Sequence, residues 1–290
     1  MYSDTVALEY LLGYNIKKPS HFFWTGFFYA TVAIFVSAVL FFHAPSMVIV
    51  TFMTLPAVYV FTNLMRKKCL EEVKVKSLID LMTVNIDIVE MYLFLFLGMV
   101  VGIAIWFSVL PTELADTLLS EQLFNLYSIT QVGAPTASAT AAQTLASDVF
   151  LLIAVNNIKL VLLMTVLSFI FAAGALFILS WNATVVGVAI GLIVRKLATT
   201  GELAPAVLTG IPLGFAFYIL HLVPEVVAYF VAAISGALIS SAMMRYDPFG
   251  PKSRKLIFMS ICLLAISIGL ILLAAGIEVN LSRQIQMTLR

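Results

Sequence analysis

Residues 149–181 read VFLLIAVNNIKLVLLMTVLSFIFAAGALFILSW, 33 residues with no acid and one cation, Lys159. The apolar positions run on instead of alternating, so the stretch lacks the two-residue period of a half-buried strand. About 20 apolar residues in helical form cover the roughly 30 Å of bilayer hydrocarbon. Every backbone N–H and C=O must find a partner inside such a segment, which leaves helices or closed barrels. A continuous run of this length selects the helix, and the chain reads as an all-α, polytopic transmembrane helical bundle. The polar interruptions, Asn156, Asn157 and Lys159, then need a reason, because polar groups within apolar spans are costly.

Composition agrees over the whole chain. Of 290 residues, 62% are hydrophobic and 11% charged, with a mean hydropathy of +1.08. Soluble domains average about 45–50% apolar and about 25% charged. A net charge of +1 gives no footprint for nucleic acid. Cys69 lies in a basic loop and Cys262 in an apolar run, so no disulfide is expected. No cleavable leader is expected either, since residues 1–20 contain acids and the first apolar run is long enough to span.

Residues 1–20 carry an apolar piece too short to cross, read as an interfacial segment. Three spans follow within residues 22–110. The first starts at the aromatic collar Phe22, Phe23, Trp24; the second, residues 47–65, contains Pro56; the third, residues 91–110, holds Gly98 and Gly102 at GxxxG spacing. Between the second and third lie Arg66, Lys67, Lys68, Lys74 and Lys76, which mark a cytoplasmic loop. Asp80, Asp87 and Glu90 share one helix face with Lys76 and Thr83. That acidic stripe reads as a solvated juxtamembrane face or as a mouth for cations. Residues 111–148 contain four acids and no Lys or Arg, as suits an extracytoplasmic loop. A short helix is expected near Leu123 to Tyr127, and loop from residue 132 to 147.

After residue 149 the charge count constrains the path. If residues 183–194, 207–222 and 226–244 all crossed, the loop at 245–255, with Arg245, Lys252, Arg254 and Lys255, would lie outside. A re-entrant or broken piece restores it to the cytoplasm. Residues 183–194 are the candidate, because 12 residues make about 18 Å of helix. The expectation is one membrane domain, residues 1–290, with about six to seven spans plus that short piece. The polar core lies within 149–244, the last span covers 256–276, and a short tail starting at Glu278 lies outside. The N-terminus and the 66–76 and 245–255 loops are expected on the cytoplasmic side of the cell membrane.

Asn156, Asn157, Lys159, Asn182, His221 and Glu225 are the polar-core candidates. Lys159 is placed near enough to neutralise Glu225. Each also has a structural account: interhelical hydrogen bonding for the Asn residues, an interfacial His, a snorkelling Lys, a helix-start Glu after Pro224. His221 and Glu225 are four apart, half of a metal-ligand pattern, but no third ligand stands at a fixed spacing. No metal, cofactor or catalytic group is assigned.

The pair Asn156-Asn157, the later Asn182-Ala183, and His221-Leu222-Val223-Pro224-Glu225 followed by Ala232, Gly236 and Ala237 resemble the stage II sporulation protein M family. That family shows Asn-Asn, then Asn-Gly, then His-Gly-x-x-Glu before a small-residue helix. Here Ala183 replaces the Gly after Asn182, and Leu222 replaces the Gly after His221. The segments Leu8-Glu9-Tyr10, Phe27-Phe28-Tyr29 and Val32-Ala33-Ile34-Phe35 are similar to an archaeal branch. The resemblance implies a multi-span protein that organises a membrane complex, as the family member of spore-forming bacteria does for a wall-degrading assembly. The residues leave two other readings open. One is a transporter or channel for a small solute or ion, using the buried Asn, Lys, His and Glu. The other is an intramembrane hydrolase or metal enzyme. The expected partners are the bilayer, proteins at the extracytoplasmic loop, and a second copy through the small-residue faces Gly98/Gly102 or Ala232/Gly236/Ser240.

Overall fold

The computed structural model describes residues 19–41, 44–72, 78–132, 139–170, 175–247 and 249–288; side chains at 61–85, 88, 128–147, 245 and 281–288 lie outside the description. The described residues form helices and no strand. In order these are α1 (His21–Leu40), α2 (Pro45–Glu72), α3 (Leu78–Val109), α4 (Thr112–Leu118), α5 (Ser120–Val132), α6 (Ala139–Ile170), α7 (Ala175–Ala198), α8 (Leu203–Arg245) and α9 (Pro251–Thr288). Six are long and apolar enough to cross a membrane, and the shorter apolar helix Pro45–Val60 adds to them. Of the expected interfacial segment, residues 1–20, all but the last two lie outside the described residues.

The helix ends differ from the expected ones after residue 131. Within the run 149–181 the described helices are α6, to Ile170, and α7, from Ala175; residues 171–174 lie outside the described residues. Asn182 does not break α7, because its Nδ2 donates to Ile178 O at 2.9 Å, one turn back. Residues 183–194, taken above as re-entrant, are thus interior to a 24-residue helix long enough to span. Residues 207–222 and 226–244, read as two crossings, are one 43-residue helix that carries Pro212 and Pro224 inside it. The expected loop at 132–147 is helical from Ala139, whereas α5 covers the short helix foreseen near Leu123. The last helix starts at Pro251 and runs past Ala275 to Thr288.

The described residues fall into two compact units. The first comprises Met1–Phe124 and Leu176–Phe215. α3 is its centre, with Phe96, Met99, Val100, Ile103, Ala104 and Phe107 fully buried. α1 lies against one side at backbone distance. A methyl group at Gly26 would strike the carbonyl of Leu95, and one at Gly98 the carbonyl of Phe23. α7 lies against another side through Gly187 and Gly191, which face Ile103 and Phe107. Close approach of this kind gives apolar helices their dispersion contacts in lipid, where no hydrophobic drive acts between them. Trp106 Nε1 donates to Thr31 Oγ1 at 2.9 Å across the α1–α3 contact.

One end of this unit is closed by polar contacts. Ser46 Oγ donates to Leu118 O at 2.9 Å, and buried Gln122 donates to Thr184 Oγ1 at 3.0 Å. Arg195 reaches Asp116 at 2.7 Å and Phe107 O at 3.0 Å, and its guanidinium stacks 3.8 Å from the Phe107 ring centroid.

The second unit comprises Asn125–Ala175 and Ala216–Arg290. Its α8 and α9 are antiparallel and joined by serines. Ser253 Oγ donates to Ala242 O at 3.0 Å, Ser260 Oγ to Ser235 O at 3.0 Å, and Ser267 Oγ to Ala228 O at 2.8 Å. Each step of seven along α9 is matched by a step of seven back along α8, the spacing of a left-handed helix pair. On another side of α8, Gly236 meets Thr165 O and the Ser168 side chain of α6. Of the small-residue faces expected for a second copy, Gly98/Gly102 is met by α1, and Ala232 and Gly236 of the Ala232/Gly236/Ser240 face are met by α6.

Candidate functional site

α8 carries Tyr218, His221, Glu225 and Tyr229 at spacings of three, four and four. At 3.6 residues per turn these fall on one stripe. The Tyr229 phenol is 1% exposed. Its hydroxyl donates to Glu225 Oε1 and lies 3.2 Å from Asn157 Oδ1 of α6. A phenol has one proton, so it serves one of these acceptors at a time. Asn157 Oδ1 also takes the Nδ2 of Asn156, at 3.4 Å. The third helix contributes Glu278 of α9, half-buried and within electrostatic reach of Glu225, Tyr229 and Tyr218. His221 is 8% exposed, with its ring edge-on to Tyr218 at 5.7 Å and no hydrogen bond to Nδ1. The arrangement brings the Glu225 carboxylate, the Tyr229 phenol and the Asn157 amide together across α8 and α6, with half-buried Glu278 of α9 in electrostatic reach. Among the described residues no group of three or more His, Cys, Asp or Glu could hold a metal ion.

The expected residues divide accordingly. Asn157, His221 and Glu225 belong to this unit's polar stripe. Asn156 and Lys159 are exposed on α6. Lys159 is two residues beyond Asn157, which is about 200° round a helix. It therefore faces away from Glu225 and cannot neutralise it, contrary to the expectation from depth alone. Asn182 belongs to the first unit, where its amide is turned back to Ile178. Of the acidic stripe, Asp87 and Glu90 are exposed at the start of the candidate span Val89–Val109, and the side chain of Asp80 lies outside the described residues.

Sequence reasoning missed Tyr229, Tyr218 and Glu278. The signal that could have found the tyrosines is the His221/Glu225 spacing extended by one turn each way. For Glu278 it is the seven-residue series Ser253, Ser260, Ser267 and Ala274, which Glu278 follows by one turn.

The comparisons bear on the same residues. Residues 91–283 match the family model for stage II sporulation protein M. The match contains Asn156-Asn157, Asn182, His221, Glu225 and Glu278, while the N-terminal segments noted as similar to an archaeal branch precede it. Neither a curated protein nor a solved structure matches the chain. Two of the motif residues that carry the resemblance, Asn157 and Glu225, meet at one tyrosine, and the match extends over two thirds of the sequence: the chain belongs to the stage II sporulation protein M family.

Proposed function

We propose that this protein is a non-enzymatic organiser of a membrane complex, resident in the cell membrane. The supporting observation is the outward face of α6. Lys159 sits near the middle of the candidate span Asp148–Ile170, exposed, beside exposed Asn156. Lysine at the centre of a membrane helix costs about 2.5–3.5 kcal/mol on insertion scales, and such residues normally face protein or water. An exposed one is satisfied by a further protein. In native membranes the full-length chain is expected to migrate as a complex larger than itself, and Lys159→Leu to release the partner while thermal unfolding stays unchanged. Migration of the full-length chain at its own size alone would remove this reading.

The proposed orientation follows from the length of α8. As one crossing, it returns the 245–255 loop to the side of the N-terminus and the 66–76 loop, with no re-entrant piece. The three basic segments are then cytoplasmic, in line with the positive-inside bias. Arg195 falls outside with Asp116, and its charge is matched there.

A second reading is supported by the Glu225–Tyr229–Asn157 contact with Glu278 beside it. Ionisable groups within spans mark ion paths in many membrane proteins, so the group fits the handling of a proton or small cation. Liposomes holding the purified protein are expected to show a cation or proton flux that Glu225→Gln abolishes without loss of fold. No flux under imposed gradients would remove this second reading.

A further inference from the structure

The exposed face of α6 is a continuous stripe. Leu152, Val155, Lys159, Leu163 and Val166 recur at intervals of three and four, Asn156 stands beside Val155 one turn before Lys159, and all six are exposed. Lipid satisfies the aliphatic members. It does not satisfy Lys159, which lies about 15 Å of helix from either end of the span at 1.5 Å per residue, farther than a four-carbon stem brings an ammonium to the interface. We propose that this stripe docks a transmembrane helix of another protein that carries a carboxylate at mid-membrane depth, paired with Lys159 and flanked by the Asn156 amide.

Charge selects the occupant. A neutral apolar helix would bury the ammonium unpaired, at the cost noted above, whereas a carboxylate at the same depth removes two unpaired charges together. A second copy packed symmetrically through this stripe would set Lys159 against Lys159. Of the chain's own carboxylates in the second unit, Asp148 stands at the end of the candidate span and Asp247 between α8 and α9, away from mid-membrane depth, while Glu225 and Glu278 are drawn into the Tyr229 group. Asn156 adds a hydrogen-bonding group one turn from Lys159, as polar contacts between membrane helices commonly do.

The inference rests on the organiser reading and is tested separately from it. Full-length protein in phosphatidylcholine vesicles is titrated with labelled leucine-rich transmembrane peptides that differ only at the central residue, Glu, Gln or Leu, with energy transfer as the readout. The Glu peptide is expected to bind at least about tenfold tighter than the Leu peptide, a difference of about 1.4 kcal/mol. The Gln peptide should fall between them. Lys159→Leu is expected to abolish the preference and Lys159→Arg to keep it. Equal binding of the three peptides, or a preference that survives Lys159→Leu, overturns the proposal. So does an intrachain cross-link from a photoreactive residue at position 156, since the stripe would then be covered already. If native complexes form but are indifferent to the charge at 159, this inference fails while the organiser reading stands.

Discussion

The Tyr229 hydroxyl meets a carboxylate on its own helix and an amide on α6. Replacing Tyr229 with Phe keeps the ring and removes the only phenol that meets both Glu225 and Asn157. A buried acceptor stripped of its partner costs about 1–3 kcal/mol. Tyr229→Phe is therefore expected to lower the unfolding temperature in detergent, and Asn157→Leu added to it to cost less than the two changes summed. Strict additivity would mean that Asn157 and Tyr229 do not share a network. Asn157, His221 and Glu225 were legible in the sequence because each is a polar letter in an apolar run. Tyr229 was not, because in a membrane helix a tyrosine passes for an apolar residue. Glu278 was hidden by position: hydropathy falls just before it, so it read as tail, although α9 continues for another ten residues.

At the scale of elements, the apolar runs showed where helices are but not where they stop. Asn182 and Pro224 look like punctuation. Neither acts as such, since an Asn amide can bond one turn back along its own helix, and helices in membranes accommodate proline with help from their neighbours. The small-residue faces were visible as spacing. Their partners were not, because a GxxxG pattern says that something comes close and not what. Gly98 is the sharpest case. A leucine there has nowhere to go but into the Phe23 carbonyl, so Gly98→Leu is expected to separate α1 from α3. Cysteines placed at Ala30 and Gly102, which face each other across that contact, are expected to cross-link on oxidation in the parent and not in Gly98→Leu. Retention of the cross-link would mean that the contact does not depend on the glycine.

At the scale of the whole molecule, the class of the protein was plain from composition alone, and the path through the bilayer was not. The charge count demanded that one crossing be removed between residues 183 and 244. It could not say which, because a short helix that turns back and two runs that fuse give the same parity. The length of α8 favours fusion. The two solutions differ at Arg195 and Lys196, which are cytoplasmic in the first and outside in the second. With Cys69 and Cys262 replaced by Ser, a single cysteine at Thr200 is expected to react with an impermeant maleimide from outside, and one at Gly250 only after permeabilisation. The reverse pattern at Thr200 would restore the re-entrant path.

The serines between α8 and α9 bear on movement as much as on cohesion. Because acceptors and donors repeat every seven residues on both helices, the pair matches itself only after a shift of about 10 Å. Every smaller displacement breaks the three hydroxyl–carbonyl contacts together. The two helices thus behave as a ratchet with one deep notch, closed to piston-like sliding. Any change of state in this unit has to come from α6 turning or tilting against a rigid pair, and that is the helix which carries Asn157 on its inner face and Lys159 on its outer one.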